Sequence, residues 1–218
     1  RLLWVRRSVS RLLARSRICQ PRLASKVCRR SCRRVLCRIG RGRDVYEVIY
    51  ADPPWRYSFS KSKSRQIENQ YPTMTCEEIC ALKIPSAHDA VLFLWATAPK
   101  LREALRVMDA WKFTYVTQAV WDKERVGMGY WFRGQHEILL VGTRGHWSPP
   151  PTHARISSVW RERRGKHSRK PAGLRTMIEQ AWPAAKRVEL FAREVPAGWD
   201  VWGNDPTVTT LAAKTGVE

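Results

Sequence analysis

From residue 44 onward the apolar positions switch repeatedly between a spacing of two and a spacing near that of a helix. Residues 45–51 (VYEVIYA) read as a short strand. It stops at Asp52-Pro53-Pro54-Trp55, because proline lacks the N–H a strand needs and holds the residue before it extended. A polar loop then runs through Gln70. Thr75-Cys76-Glu77-Glu78 has the spacing of a capping box and opens a short helix. Residues 90–95 (AVLFLW) are apolar without interruption, as in a strand buried on both faces. Pro99 sits where the first turn of a helix tolerates it, and Leu101, Leu105 and Met108 mark that helix's apolar face. Residues 113–120 and 137–142 predict two more strands, and a helix over 171–182 leads into a strand at 187–192. Strands alternating with helices predict an α/β sheet, mostly parallel, with helices on both faces. Ligands of such sheets bind beyond the carboxyl ends of the strands, where the Asp52 turn lies.

Composition adds an asymmetry to this pattern. The 218 residues carry 40 Lys and Arg against 19 Asp and Glu, a net charge of +21. Residues 1–43 hold 15 of those cations and no acid. The break in composition places the boundary of the globular part near residue 44, with a single globular unit over 44–206 and a C-terminal tail over 207–218. Three readings of the first segment stay open. It is a nucleic-acid-binding arm, an organelle-targeting segment, or sequence without a selected role, since the first Met is Met74 and the start is uncertain. At 44% hydrophobic residues, with 11 Trp, the chain has material for a core. No apolar run is long enough for a helical membrane span. The six Cys lack paired spacing, which argues against a disulfide scaffold and for a reducing interior. Cys19, Cys28, Cys32 and Cys37 lack the tight pairs of zinc sites, so no metal is expected, and Cys76 and Cys80 read as packing residues one turn apart.

The DPPW turn admits a plain reading, since Asp and Pro both favour turns. Its chemistry suggests more. Two prolines remove two backbone donors and leave carbonyls that only accept, beside a carboxylate that only accepts. With an aromatic plane at Trp55, such a group suits a flat ring bearing an exocyclic amine, as in adenine or cytosine.

These residues resemble the catalytic motif of the adenine-N6 methyltransferases that include the catalytic subunit of the eukaryotic mRNA adenosine methyltransferase and bacterial and phage enzymes acting on DNA. Further blocks follow in family order: YPTM (71–74), LFLW (92–95), GQHE (134–137) with LLVG (139–142), HSRKP (167–171), ELFAR (189–193) and GWDVWGN (198–204). Together they span about residues 46–205. No GxGxxG is present, so a nicotinamide or flavin enzyme has no support.

The resemblance implies a Rossmann-like fold using S-adenosylmethionine, permuted so that the catalytic strand precedes the cofactor strand. It implies that Asp52, Pro53, Pro54 and Trp55 hold the base, with Asp52 also lying beside the cofactor. It implies cofactor contacts from His167, Ser168, Lys170, Glu189, Phe191, Arg193 and Asn204. Lys170 would approach the cofactor carboxylate, and Glu189 and Arg193 its ribose. A solvated basic loop is the alternative for 164–170, and a strand-edge charge for Glu189. The latter is less favoured because a carboxylate in an apolar strand needs a partner. Asp205 stands where some relatives carry Gln, which leaves a second contact near Asn204 open. Lys61, Lys63 and Arg65 lie in a loop expected to form a lid over the target strand. Arg161, Arg163, Arg164 and Lys166 form a basic cluster suited to phosphate, with a solvated loop as alternative. His136 reads as structural. Trp131, Trp147 and Trp160 read as core or loop packing, with one of them free to stack on a base. The substrate expected is adenine in DNA, with RNA as the alternative and an inactive nucleic-acid-binding subunit as a further one. A homo- or heterodimer is open. The location expected is cytoplasmic, or nuclear or organellar in a eukaryote.

Overall fold

The computed structural model describes residues 45–57, 73–129, 131–165 and 169–203. The segments 1–43 and 207–218, the lid with Lys61, Lys63 and Arg65, and the residues Lys166, His167, Ser168 and Asn204 lie outside the described residues.

Among the described residues, seven strands form one sheet: β1 (Tyr46–Ala51), β2 (Ser86–Ala96), β3 (Thr114–Asp122), β4 (His136–Arg144), β5 (Val159–Arg161), β6 (Arg187–Leu190) and β7 (Asp200–Trp202). Their order across the sheet is β5-β3-β4-β2-β1-β6-β7. Pairs β1–β2, β1–β6, β3–β5 and β6–β7 are parallel, and β4 runs antiparallel to both of its neighbours. The sheet is therefore mixed but mostly parallel, as the alternation predicts, and its α/β architecture agrees with the Rossmann-like fold that the resemblance implies. β2 starts four residues before its apolar run. β5 and β7 were not expected, because three residues are too few to show a period.

Three α-helices among the described residues flank the sheet: α1 (Cys76–Cys80), α2 (Leu101–Ala110) and α3 (Ala172–Ala181). α1 starts with the expected capping box, in which Thr75 accepts the Glu78 N–H and the Glu78 carboxylate accepts the Thr75 N–H. Alternation along the strands divides the core in two. Ile49, Ala51, Leu92 and Leu94 pack against Ile79 of α1 and Ala104, Val107 and Met108 of α2, with Cys76 and Cys80 at the margin. Val48, Tyr50, Val91, Phe93 and Trp95 point the other way, onto Leu174 and Ile178 of α3 and Trp199. Helices on both faces are thus observed.

β1 is the pivot. Its successor β2 lies on one side of it, and β6 with β7 on the other. The crevice beyond the carboxyl ends of β1 and β6 is a switch point, where open α/β sheets take their ligands. Asp52 follows β1 there, and Phe191 follows β6.

Candidate active site

The turn after β1 is stiff by composition and pinned by hydrogen bonds. The Trp55 N–H donates to Pro53 O at 2.9 Å, and the Met74 N–H to Pro54 O at 2.8 Å. Pro53 O keeps a second lone pair. The Trp55 ring is buried, and its indole N–H donates to the Trp95 carbonyl at 3.1 Å, across the end of β2. Trp55 therefore walls the turn from inside the core and offers no exposed stacking face.

Asp52 opens a chain of alternating charges. Lys170 Nζ lies 2.8 Å from Asp52 Oδ2 and 3.2 Å from Glu137 Oε2, and Glu137 Oε1 lies 3.4 Å from Lys123 Nζ. Glu137 is buried, while the Asp52 side chain keeps 24% of its exposure. Among the described residues no hydrogen bond to Asp52 Oδ1 is formed. Burial by itself would weaken the Lys170 ammonium, yet the two carboxylates outweigh it and hold the Lys170 pKa above the usual lysine value. The ammonium also stands 5.4 Å over the Trp95 ring, whose indole N–H donates to the Tyr50 hydroxyl at 2.7 Å. Burial drives the Tyr50 phenol far up, so it stays a neutral hydroxyl.

A second ionic group flanks the first. Glu189, opposite Tyr50 in the β1–β6 register, faces Arg175 of α3 at 2.9 Å. The contact is chiefly ionic, and among the described residues the buried Oε2 accepts no hydrogen bond of good geometry. Desolvation is the largest influence on Glu189 and raises its pKa to about 7; Arg175 opposes this, and the neighbouring Asp52 charge adds to it. Arg175 and Arg169 also reach Glu194, at 3.5 and 2.8 Å. Phe191, the residue after β6, has a positive φ of 63°, and its buried ring meets Trp202 edge-on at 5.2 Å. A phenylalanine in that conformation is strained by about 1–3 kcal/mol, and such strain gathers at functional sites. Arg193 is exposed just beyond it.

Of the residues the sequence nominated, the structure brings Asp52, Pro53, Lys170, Glu189 and Phe191 together at the carboxyl ends of β1 and β6. Arg161, the last residue of β5, and Arg163 and Arg164 after it lie exposed at the same end of the sheet. Trp131 corrects the packing reading: it is 94% exposed, because it sits at the tip of the β3–β4 hairpin. Three contributors to the site drew no functional role from the sequence. They are Glu137, Lys123 and Arg175. Glu137 was legible, since it stands in an apolar strand as Glu189 does; Arg175 was not, because an arginine in an amphipathic helix looks like any exposed cation. Among the described residues, no group of three or more His, Cys, Asp or Glu is placed to hold a metal, and no helix is long and apolar enough to cross a membrane.

The model of the MT-A70 family matches residues 46–205, which takes in both ionic groups and the hairpin. A type II methyltransferase, M.MunI, of a Mycoplasma species is 35% identical over 74% of this chain and 78% of its own length. An MT-A70-like N(6)-adenosine-methyltransferase of Arabidopsis thaliana is 31% identical over 73% of this chain and 24% of the relative. The human N(6)-adenosine-methyltransferase catalytic subunit METTL3 is 29% identical over 73% of this chain and 28% of the relative. The chain thus spans about three-quarters of the bacterial relative and about a quarter of the plant and human ones. With the motif order, the sheet and the matched residues in agreement, the chain belongs to the MT-A70 family of N6-adenine methyltransferases.

Proposed function

We propose that this chain transfers a methyl group from S-adenosylmethionine to the exocyclic amine of adenine in DNA. The observation that carries the reading is the Asp52 carboxylate on a rigid turn at the switch point, gripped by Lys170 through one oxygen only. The amine of adenine is a weak nucleophile because its lone pair is delocalised into the ring. Accepting its N–H groups at Asp52 and at the free lone pair of Pro53 O draws that nitrogen towards tetrahedral geometry and returns the lone pair to it. The rest is positioning of the base in a preorganised polar setting. In a duplex the base first leaves the stack, at a cost of a few kcal/mol.

The residues present suit the cofactor. Glu189 Oε2 is a buried acceptor without an aligned donor, which fits a ribose hydroxyl. Lys170 has three N–H donors, two of them committed to Asp52 and Glu137, and the third fits a carboxylate. Phe191 supplies an apolar wall. S-adenosylmethionine would supply an electrophilic methyl on a sulfonium. The pair of carboxylates around Lys170 holds the ammonium, and with it Asp52, in one place.

DNA is favoured over RNA because the relative matched over most of its length is a type II methyltransferase, while the adenosine methyltransferases are matched over a quarter of theirs. A cytoplasmic setting goes with that reading. Asp52→Ala should lower methyl transfer into an adenine-containing DNA oligonucleotide by about a hundredfold or more, the scale set by removing one aligned polar group. Cofactor affinity by calorimetry should be largely kept. Undiminished transfer in the variant would sink the mechanism. Equal transfer into the matched RNA oligonucleotide would shift the substrate.

A further inference from the structure

The hairpin joining β3 to β4 leaves large apolar groups in water. Trp131 and Phe132 are 94% and 87% exposed, and Met128 and Val126 beside them are exposed as well. Contiguous exposed rings mark a surface that something covers. The backbone beneath them is built to present them. Gly127 N–H donates to Gly134 O at 2.8 Å, and Gly134 N–H to Met128 O at 3.2 Å. A Cβ on Gly129 would overlap the Phe132 carbonyl oxygen, and one on Gly127 would stand 2.7 Å from Gly134 O. Only glycine lets the two arms close this tightly. The root is fixed too, since Asp122 Oδ1 accepts from Gln135 Nε2 and from the Glu124 N–H.

Topology puts this tip beside the candidate site. β4 is antiparallel to β2 and β3, and β2 is parallel to β1, so the hairpin leaves the same sheet edge as Asp52. Its first residue, Lys123, is the far end of the charge chain that starts at Asp52. The segment after β5 runs alongside, with the Arg164 N–H donating to Lys123 O at 3.3 Å. Arg161, the last residue of β5, lies 3.9 Å from Asp122, and exposed Arg163 and Arg164 follow it along the root of the hairpin that carries exposed Arg125 and Arg133, with Glu124 and Glu162 as further acids of these segments.

We infer that Trp131 and Phe132 form a base-stacking platform for the DNA strand flanking the target adenine, with the arginines on either side holding its phosphates. The inference rests on the function proposed above. Aromatic faces among guanidinium groups are what a nucleic-acid strand requires: stacking tolerates any base, and the cations release counterions.

The test is fluorescence anisotropy of a labelled DNA oligonucleotide with the full chain over a salt series. The Trp131→Ala/Phe132→Ala variant should bind about tenfold more weakly or worse at every salt concentration, with the salt slope unchanged, because stacking releases no counterions. Trp131→Tyr should keep most of the affinity, and Trp131→Leu should not. Parent-like binding by the double alanine variant overturns the inference. So does a loss confined to RNA, or a change in sedimentation from oligomer to monomer with DNA affinity unchanged, which would make the tip a protein interface. If the parent chain binds no oligonucleotide at all, the proposed function falls with it; if the parent binds and methylates DNA and the variant does so equally, only the platform falls.

Discussion

Two glutamates in apolar strands, Glu137 in β4 and Glu189 in β6, each face the cost of desolvating a carboxylate, and the chain treats them differently. Glu137 lies between two ammonium groups, Lys123 and Lys170. Glu189 has one guanidinium, poorly aligned, and the Asp52 charge nearby. Desolvation prevails at Glu189 and raises its pKa to about 7 from an ordinary value of 4.5. The sign follows. The folded state favours the neutral acid, so the contribution of Glu189 to stability is complete below pH 4.5 and is lost as pH rises through 7. Between pH 4.5 and pH 8 the parent should therefore lose on the order of 3 kcal/mol relative to Glu189→Gln, whose side chain does not titrate. Urea unfolding of both proteins across that window reads the difference directly, because every other titrating group is common to the two. Parallel stability curves would show that Arg175 keeps Glu189 ionised throughout.

At the level of elements, the chain announces what is long and periodic and hides what is short. The six-residue run 90–95 and the largely apolar 45–51 were readable as strands because burial on both faces leaves a continuous apolar mark. β5 and β7, three residues each, borrow their stability from β3 and β6 and need no pattern of their own. The antiparallel insertion of β4 was equally silent, since apolar runs do not state direction. The site followed the same rule. Residues carried by a motif (Asp52, Lys170, Glu189, Phe191) were visible, whereas Arg175 depends on how α3 crosses the sheet, and Trp131 on which way a hairpin tip faces. Gly142 shows how closely one such crossing is packed. A Cβ there would overlap the end of Met108 in α2, stand 3.0 Å from the Thr114 carbonyl and touch Phe113 at 3.4 Å. The methionine tip can swing aside, but the β3 backbone cannot. Gly142→Ala should accordingly destabilise the fold by about 1–3 kcal/mol through overpacking, a lowering of Tm by several degrees. An unchanged Tm would mean that β3 and β4 slide apart freely at that register.

The whole molecule is a polyelectrolyte with a lopsided distribution of charge. Residues 1–43 supply 15 cations and no anion, while the other residues hold 25 cations against 19 anions. The match to the MT-A70 family begins at residue 46, after that segment ends, so the chemistry proposed here needs nothing from it. DNA affinity is another matter, because each phosphate neutralised by Lys or Arg contributes about 0.7–0.9 to the slope of log affinity against log salt, whatever the sequence. Removing residues 1–43 should therefore weaken DNA binding most at low salt and flatten that slope by about 0.7–0.9 for every phosphate the segment neutralises. Methyl transfer at saturating DNA should persist, since the Asp52 turn, the Lys170 pair and the Glu189 group all lie in the part that remains. A slope that does not change on truncation would take the segment off the DNA and leave the targeting or unselected readings. Loss of transfer at saturating DNA, with the truncated chain still folded by circular dichroism, would instead show that the segment completes the site.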